Sequence, residues 1–213
     1  MANIYFRRFL EAWKRFGWNR KFRSRIVNYA DDFVILTHQC AAPALQTAQR
    51  VLEKIGLTLN TVKTRIRRVP EEDFDFLGYT FGRRYSKEGR AYVGVKVSAK
   101  KLALHRERLR EMTGKGQTYL AAEKLVERIE PVVRGFWNYF SSGSQAQARG
   151  RLERYTFDRM ESWIKRKHPK GGIGQEKLRA IWPRVEALFR SLGSRTKWNA
   201  RRGAPVPTES RAQ

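Results

Sequence analysis

Between Arg25 and Thr37 the sequence reads Arg-Ile-Val-Asn-Tyr-Ala-Asp-Asp-Phe-Val-Ile-Leu-Thr. Its two apolar arms, Ile26 to Tyr29 and Phe33 to Leu36, are rich in β-branched and aromatic residues, which favour extended backbone. Only Ala30-Asp31-Asp32 separates them, so the spacing predicts a β-hairpin with two carboxylates at its tip. Adjacent ionised carboxylates repel, and holding them beside apolar strands is costly unless a cation offsets the charge. A hard divalent ion such as Mg²⁺ suits that role, because it binds through one or two carboxylates plus substrate phosphate oxygens. A pair of such ions can activate a 3′-hydroxyl and stabilise a departing pyrophosphate. Taken alone, however, an Asp-Asp pair between strands is more often ordinary turn chemistry than a metal site.

The charge balance narrows the class of partner. Across 213 residues there are 45 Lys and Arg against 20 Asp and Glu, a net charge of +25, with basic residues spread from Arg7 to Arg211. Such a field favours a polyanion, because each phosphate neutralised releases condensed counterions. Nucleic acid is the first expectation, since no apolar stretch approaches the ~20 residues of a membrane span and no signal peptide is visible. The lone Cys40 makes no internal disulfide and no Cys-x-x-Cys zinc pair, which fits a reducing, cytoplasmic setting. His38, His105 and His168 lie far apart in sequence and read as surface or packing residues. The 41% of hydrophobic residues suffices for one large core or two small ones.

Taken in order, Phe6, Phe9, Leu10, Trp13 and Phe16 fall at helical spacing over residues 3–18, closed by Gly17, with an aromatic stripe directed to a core. After the hairpin, Leu45, Ala48, Val51, Leu52 and Ile55 predict a second helix from Pro43, followed by Gly56. Leu57 to Leu59 and Ile66 to Val69 read as short strands. Phe74 to Phe81 and Ala91 to Val97 read as a second hairpin around Lys87-Glu88-Gly89-Arg90, with Gly78 inside a strand. That glycine suggests either a close approach by another backbone or a simple bulge. After Val97 the period turns helical. Ser98 caps a helix to Met112, Thr118 caps the next, Pro131 starts a short one, and a long basic helix spans about Gln145 to Lys167. The composition shift gives a strand-rich domain over 1–97 and a helical one over 98–168. A short helical extension over 169–193, broken at Pro183, and a disordered basic tail over 194–213 follow.

Several of these stretches resemble one family. Tyr29-Ala30-Asp31-Asp32 resembles the Tyr-x-Asp-Asp signature of reverse transcriptases, in the form usual for group II intron proteins. Ala2-Asn3-Ile4-Tyr5-Phe6 is similar to the end of the motif preceding that hairpin. Gly56-Leu57-Thr58-Leu59-Asn60 with Lys63-Thr64 resembles the next palm motif, and Phe76-Leu77-Gly78-Tyr79 resembles the primer grip. Arg134-Gly135-Phe136-Trp137-Asn138-Tyr139-Phe140 resembles the core of the maturase-specific domain. These motifs stand in the family's order over about residues 2–170.

The resemblance implies an α+β fold: a reverse-transcriptase palm remnant of antiparallel hairpins with two helices, then an all-α thumb and maturase region. It implies Asp31 as principal Mg²⁺ ligand, Asp32 as its partner, and Lys63 near the departing pyrophosphate. Phe76, Leu77, Gly78 and Tyr79 would place a primer terminus. In that family a third carboxylate and the fingers come from sequence before Ala2, so the chain alone is expected not to polymerise DNA. An N-terminal reverse-transcriptase piece or a dimer partner would have to supply them. For the helical region, Lys100, Lys101, Arg134, Trp137, Tyr139, Arg149, Arg151 and Arg154 are the expected nucleic-acid contacts. The partners implied are group II intron RNA and an RNA template with a DNA primer. A non-catalytic RNA-binding splicing factor, or an inactive remnant, is the rival reading.

Overall fold

The hairpin that anchors the sequence is present in the computed structural model, which describes residues 2–38, 40–86, 88–143, 145–169, 173–191, 197–199 and 204–206. The chain divides into two units, Met1–Arg68 and Val69–Gln213. In the first, α1 (Ala2–Arg15) stops earlier than its apolar period suggested, because Gly17 takes a left-handed φ of +70° and turns the chain into the single-turn α2 (Trp18–Lys21). Phe6, Phe9 and Trp13 are buried as expected, whereas Phe16, beyond the helix end, is 66% exposed. Strand β1 (Ser24–Tyr29) pairs antiparallel with β2 (Asp32–Thr37). Helix α3 (Ala41–Lys54) buries Ala44, Ala48, Val51 and Leu52.

These elements share an aromatic core. Phe9 lies 5.6 Å from both Trp13 and Phe33, ring centre to ring centre, and Ile26 and Ile35, which face each other across the hairpin, pack against the same cluster. Trp13 satisfies its indole N–H with the Ser24 hydroxyl at 3.1 Å, pinning α1 to β1. The expected strands at Leu57–Leu59 and Ile66–Val69 do not form. Neither run pairs with another segment, and the sheet stays two-stranded. Asn60 instead folds the intervening residues into a turn, its side-chain oxygen accepting the N–H groups of Val62 and Lys63, both at 3.1 Å.

The second unit opens with a three-stranded antiparallel meander, β3 (Phe74–Phe76), β4 (Tyr79–Tyr85) and β5 (Ala91–Val97). The sequence read its first two strands as one, with Gly78 inside. The structure places a two-residue turn there, with φ +52° at Leu77 and +81° at Gly78, the double positive φ of a tight hairpin turn. Helices α4 (Ala99–Met112), α5 (Ala122–Tyr139), α6 (Ala146–Lys167) and α7 (Ile173–Ser191) follow. Ser98 caps α4 as expected, its hydroxyl accepting the Lys101 N–H at 3.3 Å. Thr118 caps nothing: its hydroxyl donates to the Lys115 carbonyl, and α5 begins after Ala121.

Two prolines that should have interrupted helices do not. Pro131 sits inside α5 and Pro183 inside α7. In α5 the buried stripe runs unbroken past the proline through Ile129, Val133 and Trp137, and the carbonyl deprived of its bond belongs to exposed Glu127, where water can replace it. Burial on both sides outweighs one lost backbone bond. The expected linker at 168–172 is described only at His168 and Pro169. Of the tail expected to be disordered, Lys197–Asn199 and Ala204–Val206 pair as a short antiparallel ribbon, and the rest lies outside the described residues.

The composition shift at Val97 therefore marks a change of backbone period, while the contact boundary falls after Arg68. The reason is packing. Val97 is buried in the helical core with Leu109, Leu152 and Trp163, and its N–H donates to the Gln145 side chain at 3.1 Å. Gln145 is itself buried and donates to the Ser142 carbonyl at 2.5 Å, so one side chain ties the end of β5 to the start of α6. Removing it would orphan a buried N–H, at a cost of about 1–3 kcal/mol.

Buried His105 packs its ring 4.1 Å from that of Phe136. Burial, and then the neighbouring Arg108, lowers its pKa to about 4. The unfolded chain therefore binds the extra proton first, so the neutral ring's contribution is fully present above about pH 6.5 and is lost as pH falls toward 4. Urea unfolding of the wild type should lose up to about 3 kcal/mol more than the His105→Phe variant between neutral pH and pH 4. Parallel pH profiles for the two proteins would show that this ring is not the titrating group.

Candidate nucleic-acid interface

At the hairpin tip Tyr29 faces Asp32, leaving Ala30 and Asp31 as the turn, with Ala30 at φ +53°. Asp31 and Asp32 are both exposed. Water thus solvates the two carboxylates, and the desolvation argument for a bound cation does not apply to them. Among the described residues no group of three His, Cys, Asp or Glu side chains converges, here or elsewhere. The donor set present falls short of a complete site for a hard ion, and no metal-dependent step follows from it. Lys63 is exposed in the Asn60 turn, which fixes its backbone and leaves its ammonium in solvent.

The Phe76–Tyr79 segment is organised very differently. Its turn is clamped by the end of α5. The Tyr79 hydroxyl donates to the Tyr139 carbonyl at 2.8 Å, and the Tyr139 hydroxyl returns a bond to the Leu77 carbonyl at 3.2 Å. Phe140 stands edge-on to the Tyr79 ring at 5.0 Å, and the Ser98 N–H donates to the Gly78 carbonyl at 2.9 Å. A Cβ at Gly78 would lie 3.1 Å from both the Lys101 Cγ and the Phe140 ring. Two stretches that sequence reasoning gave separate tasks, one to a primer and one to RNA, are therefore in direct contact. The groups that crowd Gly78 are side chains of this chain, Lys101 and Phe140, and not another backbone.

The expected basic contacts separate into three groups. Some are engaged within the fold: Arg134 bonds Glu130 at 2.8 Å and reaches Ser191 at 3.5 Å, bridging α5 to α7. On α6, Arg154 pairs with Asp158 at 2.9 Å and Lys165 with Glu161 at 2.8 Å, which offsets those two cations. Such exposed pairs contribute under about 1 kcal/mol each, so their main effect is on the local field. Arg159, Arg166 and Lys167, part of the same basic run, reach the backbone between α4 and α5. Arg159 bonds the Thr113 hydroxyl at 2.9 Å, Arg166 the Thr113 carbonyl at 2.5 Å, and Lys167 the Thr118 and Leu120 carbonyls at 2.7 and 2.5 Å. Cations at the open carbonyls ending α4 are what the helix dipole favours.

A second group surrounds Trp137, which is buried, with the Arg149 guanidinium 5.1 Å above its ring. Trp137, Asn138, Ser141, Arg149 and Ser191 line an open groove of about 340 Å³. Burial makes Trp137 a floor of this groove and removes it as a stacking platform, whereas Tyr139 keeps 58% of its surface exposed. The third group, Lys100, Lys101 and Arg151, is exposed and in no ion pair among the described residues. Gln145 was not singled out from the sequence. Its only sequence signal is a polar residue opening a helix seven positions before apolar Leu152, which does not distinguish a buried tie from a solvated start.

Residues 102–182, from within α4 to within α7, match the family described as the group II intron, maturase-specific domain. No curated protein matches the chain. The match covers the region where the sequence resemblance placed a maturase, and it implies a maturase-type role in RNA binding and splicing. It stops short of the Asp-Asp hairpin and of the meander.

If the turn is held as described, Gly78→Ala should destabilise the protein more than Gly89→Ala. Both glycines have φ near +80°, at +81° and +77°, but only Gly78 has neighbours within 4 Å. The left-handed backbone costs about 1–2 kcal/mol in either case. An excess loss of about 1 kcal/mol for Gly78→Ala in denaturant unfolding would measure the docking itself.

Proposed function

We propose that this chain, whose residues 102–182 match the maturase-specific domain of group II introns, is a maturase that binds folded intron RNA and favours its splicing-competent form. The match is the observation that carries the reading. It is supported by the exposed cations Lys100, Lys101, Arg108 and Arg151, which are in no ion pair among the described residues. Trp137, Asn138, Ser141 and Arg149, which line the open groove, lie inside the matched segment. The test is competition between the cognate intron RNA and an unrelated structured RNA of equal length. A maturase should hold its intron at least about tenfold more tightly at raised salt, where nonspecific phosphate contacts have dissociated. Release of both RNAs at the same salt concentration would refute it.

The Tyr29-Ala30-Asp31-Asp32 sequence at the tip of a hairpin supports a second, finer reading, that the first unit derives from the palm of an RNA-directed DNA polymerase. On that reading Asp31 and Asp32 are two of the ligands for catalytic Mg²⁺, Lys63 lies on the pyrophosphate side, and the Phe76–Tyr79 turn meets the primer on an RNA template. A further carboxylate is required. The 213-residue chain should accordingly extend no DNA primer in Mg²⁺, and Asp31→Asn with Asp32→Asn should leave its affinity for intron RNA unchanged. Primer extension abolished by Asp31→Asn would show instead that the site is complete.

A further inference from the structure

The corner where α1 passes through α2 into β1 has a surface that neither reading uses. From Lys14 to Arg25 the chain carries Lys14, Arg15, Arg20, Lys21, Arg23 and Arg25 and no acidic residue. All six side chains are exposed, and none is in an ion pair among the described residues. Some exposed helical cations elsewhere find carboxylates, as Arg7 does with Glu11 at 2.9 Å and Arg190 with Glu186 at 2.8 Å, whereas others, such as Lys100 and Arg151, pair with none among the described residues. The α1 dipole accounts for Lys14 and Arg15, which sit in its last turn, but its influence ends there. Six like charges on one corner repel one another, and among the described residues no carboxylate pairs with any of them, although the Lys21 ammonium lies 5.7 Å from the centre of the Phe22 ring.

Two further observations indicate what would offset these charges. Phe16 stands 66% exposed among these cations, its ring 5.1 Å from that of Trp18 and inclined by 33°. A large ring left in water costs free energy, and a nucleobase stacked on it would recover that cost. Arg23 is held at φ +43°, a left-handed conformation that a non-glycine residue avoids unless its surroundings impose it. The imposition is visible: Phe22 and Trp13 are buried beside each other with rings 5.8 Å apart, fixing the chain on either side of the patch. The backbone that carries the cations is therefore flanked by buried rings on both sides.

We propose that this corner is a binding surface for single-stranded nucleic acid, its six cations following the phosphates while Phe16 stacks on a base. It is separate from the maturase match, which begins at residue 102, and from the Asp-Asp tip. The experiment is fluorescence anisotropy of the full chain with a labelled oligouridylate of about twenty nucleotides, an RNA duplex of similar length, and phosphatidylserine vesicles as a competitor. Arg15→Gln, Arg20→Gln and Lys21→Gln together are compared with an equal loss of charge at Arg50→Gln, Lys54→Gln and Lys115→Gln. The corner variant should weaken oligouridylate binding about tenfold more than the control and reduce the salt slope by about two. Phe16→Ala should weaken single-strand binding about fivefold while sparing the duplex. Equal losses in the two charge variants, an inert Phe16→Ala, or vesicles binding where RNA does not would each overturn the proposal. Because the probe is an unstructured homopolymer, its result stands apart from the intron-preference assay.

Discussion

The reciprocal hydrogen bonds between Tyr79 and Tyr139, each hydroxyl reaching a backbone carbonyl of the other's segment, are the constraint from which the second unit is built. They fasten a turn that no other strand covers to the last residues of α5. The same stretch supplies Phe140 to the turn, Trp137 to the core and Phe136 to His105. A motif of seven residues thus serves sheet, core and helix at once. The buried tie from Gln145 to Val97 fixes the other end of the meander, so the small sheet is held against the helices at two points.

Charge is distributed unevenly between structure and surface. The formal excess of +25 overstates what a ligand would meet. On α6 most cations are neutralised by carboxylates one turn away or consumed by backbone carbonyls. In the first unit the reverse holds: the corner between α1 and β1 keeps its cations in solvent. A residue's place along the sequence does not separate these cases. What separates them is whether an acceptor lies within reach after folding.

Much of this fold was legible because local signals and burial agree. The hairpin, α1, α3, the Ser98 cap and α6 follow from period, cap chemistry and turn residues. Several misreadings share one cause, competition between a local preference and tertiary packing. Pro131 and Pro183 signal helix ends, yet apolar stripes continue past them. Leu57 to Leu59 has strand composition but finds no partner edge. Leu77-Gly78 was hidden because leucine is an unusual occupant of a left-handed turn position. For the candidate site, the sequence could name Asp31, Asp32 and the basic residues but could not say which were already engaged. Arg134, Arg159 and Lys167 were engaged, and Trp137 was buried.

The contacts made by Arg159 have a consequence for which exchanges the chain tolerates. Its guanidinium divides among the Thr113 hydroxyl, the Thr113 carbonyl and the Arg110 carbonyl at 2.9 to 3.3 Å, a spread that a planar fork spans and a single ammonium does not. Arginine and lysine are therefore distinct building materials at this position, as joinery that requires a particular shape. At Arg15 or Arg20, where the side chain ends in water, either residue provides the same positive point. The basic residues of this chain fall into a geometric class and an interchangeable one, and homologous sequences would be expected to drift freely only in the second.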